Sequence, residues 1–133
     1  MSSVLIIDDD AAMTEMLKTI LEPKSFEVFT AHEISEGLEA VHSLGPDVVL
    51  LDLNMVDMDG WHACRKIREF SRVPILVLSV LNKPDAVAKA LDEGADDYLI
   101  KPVPSGVLIA HLNNLIRRSR AEQNAASTRL GLP

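Results

Sequence analysis

The chain has 133 residues, 47% of them hydrophobic, with 20 acids against 13 bases and a formal charge of −7. That is one domain of ordinary size, apolar enough to bury a core and acidic enough to repel nucleic acid and anionic membrane. A single cysteine, Cys64, excludes a disulfide framework and a multi-thiolate zinc site.

Val4-Leu5-Ile6-Ile7, stopped by Asp8-Asp9-Asp10, reads as a strand buried on both faces. Met13, Met16, Leu17, Ile20 and Leu21 then recur at helical spacing, with Asp10 as N-cap and Pro23 as the stop. Phe26–Thr30 is an outer strand, and Ile34, Leu38, Val41 and Leu44 make a second helix closed by Gly45-Pro46. Val48–Leu51 is the most apolar strand; Trp61, Cys64 and Ile67 mark the third helix, and Ile75–Leu78 the fourth strand. A shorter helix carries Val87, Ala90 and Leu91 and ends at Gly94. Tyr98–Ile100 is the last strand, and Leu108, Leu112, Leu115 and Ile116 line the last helix.

Five alternating strand–helix units imply an α/β domain, a doubly wound parallel sheet covered on both faces by five helices. The ordered domain is expected over residues 1–118. Residues 119–133, rich in Ser, Asn, Ala and Arg and without an apolar stripe, are expected to be a linker or disordered tail. The longest apolar runs are strand-sized, short of the ~20 residues of a membrane helix. No basic segment precedes them as in a secretory signal, so a cytoplasmic location is expected.

Ligands of such sheets bind outside the carboxyl ends of the strands. Strand one ends in Asp8-Asp9-Asp10, strand three in Asp52, strand four in Ser79 and strand five in Lys101-Pro102. Asp10 is taken as a helix cap. Crowding Asp8, Asp9 and Asp52 together costs Coulomb repulsion unless a cation neutralises them, and an all-oxygen donor set suits Mg²⁺. With Lys101 and Ser79 opposite, this is a phosphoryl-handling site. Asp52 is the best-placed attacker, giving an acyl phosphate, and Asp9 the better dedicated metal ligand.

The acidic pair, lone Asp, hydroxyl and Lys-Pro, each at its own strand end, resemble the receiver domain of two-component response regulators over about residues 3–118. The matching segments include Val4–Asp10, Pro46–Met55, Asp57–Gly60, Val73–Ser79 and Gly94–Pro102. The resemblance implies a flavodoxin-like sheet of order 2-1-3-4-5. It implies Asp52 as phosphoacceptor, served by a sensor histidine kinase or phosphotransfer protein. Mg²⁺ would be bound by Asp9, Asp52 and the Asn54 backbone carbonyl, with Asp8 acting through water. Ser79 would bond the phosphoryl oxygen and Lys101 pair with the phosphate. A cis Lys101-Pro102 bond is implied, with Tyr98 as the aromatic that turns inward when Ser79 moves. A receiver is a signalling domain that catalyses only its own phosphorylation and slow self-dephosphorylation.

Gly94-Ala95-Asp96-Asp97-Tyr98 looks most like the OmpR/PhoB class, whose receivers dimerise through the fourth helix, fifth strand and fifth helix. Asp96, Asp97 and Arg118 fit that pattern, whereas Val107 and His111 stand where Glu and Arg normally pair, which leaves the dimer and the output partner or effector domain open. Val56 replaces a usual Pro, Val103 a frequent aromatic, and Val80 follows Ser79 where Ala or Gly is common, narrowing phosphodonor entry. A haloacid-dehalogenase-type phosphatase would need an acid/base Asp where Asn54 stands. An FMN binder would not place three aspartates at its phosphate loop, and a pseudo-receiver would not keep all five site residues. His32, His42, His62 and His111 are expected at the surface, Cys64 and Trp61 in packing roles, and Arg65, Lys66, Arg68 and Arg72 on a solvated face.

Overall fold

The computed structural model describes residues 1–53 and 60–129. Its elements alternate: β1 (Ser2–Ile7), α1 (Ala11–Leu21), β2 (Phe26–Ala31), α2 (Ile34–Leu44), β3 (Val48–Asp52), α3 (Gly60–Arg68), β4 (Ile75–Ser79), α4 (Pro84–Asp92), β5 (Asp97–Ile100) and α5 (Ser105–Arg129). The strands pair in parallel in the order β2-β1-β3-β4-β5, as the resemblance implies.

Alternation along the strands divides the core. Leu5, Ile7, Val49, Leu51, Ile75 and Val77 face Ile34, Val41, Cys64, Ile67 and Ala90 of α2, α3 and α4. Their neighbours Val4, Ile6, Val48, Leu50, Leu76 and Leu78 face Leu17, Leu21, Leu108, Leu112 and Leu115 of α1 and α5. Every residue of β3 and β4 is buried, which is why those strands read as unbroken apolar runs.

The helix ends follow the local chemistry. Asp10 Oδ1 accepts from the Ala12 and Met13 amides at 3.0 and 3.2 Å, capping α1. Pro23 turns the chain through a short 3₁₀ segment, and Gly45 closes α2 at φ +55°.

One boundary differs from the sequence expectation. Residues 119–129, read as linker or disordered tail, continue α5 as helix. The missing apolar stripe suggested a break, but Arg120, Ala121, Glu122, Gln123, Ala125 and Ala126 are good helix formers uninterrupted by Gly or Pro. Arg120 also reaches Asp47 at 3.8 Å and the Ser2 hydroxyl at 3.4 Å, tying the extension to the body. No helix among the described residues is long and apolar enough to cross a membrane.

Candidate phosphoacceptor site

Parallel pairing brings the carboxyl ends of β1, β3, β4 and β5 to one edge. Asp52 lies in register with Leu78, and Ser79 with Ile100, so the Asp, the hydroxyl and Lys101 stand in adjacent strands. The Lys101 amide donates to the Ser79 carbonyl at 2.8 Å and fixes the last of these. The Lys101-Pro102 bond is cis.

Asp8 and Asp52 are buried, at 2% and 8% exposure, and Ser79 is completely enclosed. Lys101 Nζ lies 2.9 Å from Asp52 Oδ2, a mostly buried ion pair at the end of the central strand. Burial pushes the Asp8 carboxyl up to about 6; the nearby Asp52 charge adds to this, while the Asp10 amide, 2.9 Å from Asp8 Oδ1, opposes it. One ammonium thus faces two carboxyls in a low-dielectric crevice. An all-oxygen donor set short of positive charge is chemistry that a Mg²⁺ ion fits.

Asp9, expected to crowd with Asp8 and Asp52, is exposed, whereas Asp8, the residue directly after β1, is buried. The described residues hold no cluster of three or more His, Cys, Asp or Glu that could hold a metal. Asn54 lies outside the described residues, as does Val56.

Ser79 Oγ accepts from the Leu81 amide at 3.1 Å, and the Tyr98 hydroxyl donates to the Leu81 carbonyl at 2.7 Å. The half-buried Tyr98 therefore connects to Ser79 through the backbone of Leu81. Sequence reading passed over Leu81, since its contribution comes from main-chain atoms that no side chain advertises.

Beside Lys101 opens an apolar groove of about 350 Å³, lined among others by Met13, Met16, Val80, Pro102 and Val103. Val80 is 58% exposed on its rim.

Of the basic residues expected on a solvated face, Arg65 and Arg72 are exposed and Arg68 departs. Arg68 is half-buried and donates to the carbonyls of Gly94, Ser71 and Val73 at 3.0, 3.3 and 2.7 Å and to Asp96 Oδ2 at 2.7 Å. Arg65 makes a two-pronged pair with Glu93 at 2.6 and 2.7 Å. The spacing Trp61, Arg65, Arg68 was the available signal: i, i+4, i+7 is one helix face. Cys64 is a buried core thiol, its pKa raised to about 12 by burial. His32, His42 and His62 are exposed; His111 is half-buried, with Nδ1 2.6 Å from Asp97 Oδ2.

The response regulator receiver domain family profile matches residues 4–113. The KDP operon transcriptional regulatory protein KdpE of Escherichia coli is 40% identical over 121 residues, 91% of this chain and 54% of that protein. The DNA-binding response regulator MtrA of Mycobacterium tuberculosis is 38% identical over 119 residues, 90% of this chain and 52% of that protein. The chain thus spans about half the length of these relatives. Among solved structures, a two-component response regulator from Clostridium difficile superposes with a TM-score of 0.85 at 34% identity, covering 90% of this chain and 98% of that one. A CheY-like receiver domain protein from Methanospirillum hungatei gives 0.86 at 26% identity, covering 92% and 98%. With a family match over most of its length and a sheet of the same fold, the chain belongs to the receiver domains of two-component response regulators and is most like the OmpR/PhoB class.

Proposed function

We propose that Asp52 accepts a phosphoryl group from the phosphohistidine of a sensor histidine kinase or phosphotransfer protein. The observation that carries this reading is the buried Asp8–Asp52 pair with Lys101 at 2.9 Å from Asp52. An Asp52 carboxylate oxygen attacks phosphorus in line, the P–N bond to the donor imidazole breaks, and an aspartyl phosphate forms. Lys101 changes partner from Asp52 to a phosphoryl oxygen, staying hydrogen-bonded throughout. Asp9, Asp52 and the Asn54 carbonyl would hold Mg²⁺, with Asp8 acting through water; the ion, when bound, supplies the positive charge that the transferring oxygens need. The groove beside Lys101 offers the donor protein an apolar rest, with flexible Met13 and Met16 able to adapt to it.

Ser79 links the site to the surface. To donate to a phosphoryl oxygen it gives up its present position beneath the Leu81 amide, and Tyr98, bonded to the same residue, follows. The face of α4, β5 and α5 is thereby altered and read by an output partner or effector domain. Under this reading the domain works in the cytoplasm, without direct nucleic-acid binding of its own, as a phosphoacceptor whose own chemistry is limited to self-phosphorylation and slow self-dephosphorylation.

Intact-mass measurement with acetyl phosphate tests the reading. One phosphoryl mass should be gained with Mg²⁺, none in EDTA and none for Asp52→Asn. No gain by the native chain under any of these conditions would overturn it.

A further inference from the structure

Helix α4 is loosely seated by apolar contact: of its nine residues Ala90 is the buried one, and its N-cap, Lys83, makes no side-chain capping bond. Its position depends on polar ties at its two ends, and these ties differ in kind.

The front tie is the segment leading into the helix. The Leu81 amide hangs on Ser79 Oγ and the Leu81 carbonyl on the Tyr98 hydroxyl, at 3.1 and 2.7 Å. Both are bonds to groups that have other work under the phosphoacceptor reading.

The rear tie is the charged stripe of α3. Arg65 grips the Glu93 carboxylate with two hydrogen bonds, and this hydrogen bonding, helped by its charge, holds that carboxyl below its ordinary pKa. One turn further on, Arg68 donates to the Gly94 carbonyl and to Asp96, which also accepts from the Ile75 amide at 2.8 Å. Gly94 has φ +116°, and a Cβ there would stand 2.7 Å from Arg68 Cγ, so the close approach requires glycine. The bonds given for these rear groups run from α3 to the C-terminal end of α4, to Asp96 and to the chain before β4. Between the two ties lies Trp61, whose ring carries the Lys89 ammonium at 4.5 Å from its centroid and whose Nε1–H reaches the Ala86 carbonyl at 3.4 Å.

We propose that α4 is a lever hinged at its C-terminal end on Arg65 and Arg68, with its N-terminal end free to swing when Leu81 is released by Ser79. The front end answers to the site and the rear end does not, so the helix pivots instead of translating. The phosphoacceptor reading supplies the trigger; the location of the hinge does not depend on it. The bidentate and backbone-directed bonds at the rear hold direction as well as position, which single surface ion pairs do not.

Amide hydrogen exchange with the full chain tests this, since local opening is read residue by residue. In the unliganded protein, Ser79→Ala should speed exchange at Leu81 and the first turn of α4 by roughly fivefold, one hydrogen bond's worth, leaving residues 91–95 unchanged. Arg65→Gln should do the reverse, with Arg65→Lys restoring part of the protection. Beryllofluoride with Mg²⁺ should reproduce the Ser79→Ala pattern and shift the emission of Trp61, the chain's single tryptophan. Uniform change along α4 in both variants would overturn the hinge. So would a change at residues 91–95 in Ser79→Ala as large as at the front. Failure of beryllofluoride to bind would overturn the phosphoacceptor reading instead, the hinge being decided by the two variants.

Discussion

The carboxyl of Asp8 lies close enough to that of Asp52 for the two to compete for a single ammonium, and burial holds Asp8 up to about 6 against an ordinary 3.8. A raised carboxyl pKa means that the folded state keeps this proton more tightly than the unfolded chain. Its contribution to stability is therefore full below 3.8 and is lost as pH rises through about 6. The loss is on the order of 3 kcal/mol at most. In EDTA, Asp8→Asn should remove this pH dependence and be more stable than the native chain at pH 7, since an Asn oxygen can still accept from the Asp10 amide. Mg²⁺ should raise the Tm of the native chain more than that of the variant. Urea unfolding at several pH values checks this; equal slopes for the two proteins would count against a carboxylate strained by burial.

Arg68 joins α3 to three backbone carbonyls and Asp96, and it is only 24% exposed in its side chain. Removing it strands half-buried backbone acceptors as well as deleting bonds. Arg68→Ala should cost about 3 kcal/mol of unfolding free energy. Arg65→Gln, at a far more exposed position, should leave global unfolding nearly unchanged. Denaturant titration separates the two, and equal effects would mean that Arg68 is as dispensable as a surface pair.

Val80 stands on the rim of the groove beside Lys101, where the resemblance to receiver domains implies a smaller side chain. Val80→Ala should speed labelling by acetyl phosphate severalfold. Because the residue is exposed, Tm should hardly move. An unchanged labelling rate would show that entry of small donors is not limited there.

The parts of this molecule legible in its sequence are those whose physics is carried by side-chain type in a short window. Unbroken runs such as Val48–Leu51 could only be doubly covered strands, and Pro23 and Gly45 end their helices by backbone geometry alone. Asp52, Ser79 and Lys101 were readable because a parallel sheet must deliver strand ends to one edge. Leu81 was not, for it acts through its peptide groups. The Arg68 network was hidden because its acceptors are main-chain carbonyls, that of Gly94 26 residues away, while composition alone describes a basic surface. That Asp8 would be buried and Asp9 exposed was not legible, since neighbouring aspartates look alike in sequence though successive residues along an extended chain point in opposite directions.

The same intramolecular pairing bears on self-association. In the OmpR/PhoB-like arrangement Asp96 and Asp97 would be offered to a second copy, yet here Asp96 is held by Arg68 and the Ile75 amide. Asp97 is held by His111 at 2.6 Å. Val107 stands where a charged partner residue is usual, and with Leu91 and Ile100 it leaves this side of the domain with exposed apolar side chains, each 42–44% accessible. Two copies meeting here would have to break internal pairs to form intermolecular ones, a near-balanced exchange, while each carries a charge of −7. Sedimentation at micromolar concentration should find a monomer both without ligand and with beryllofluoride and Mg²⁺. His111→Arg combined with Val107→Glu, which restores the class pattern and frees Asp97 to exchange partners, should strengthen association on activation by about tenfold. A tight dimer of the native chain on activation would show that the apolar side chains suffice without the ion pairs. In that case the internal pairing of Asp96 and Asp97 does not set the oligomeric state.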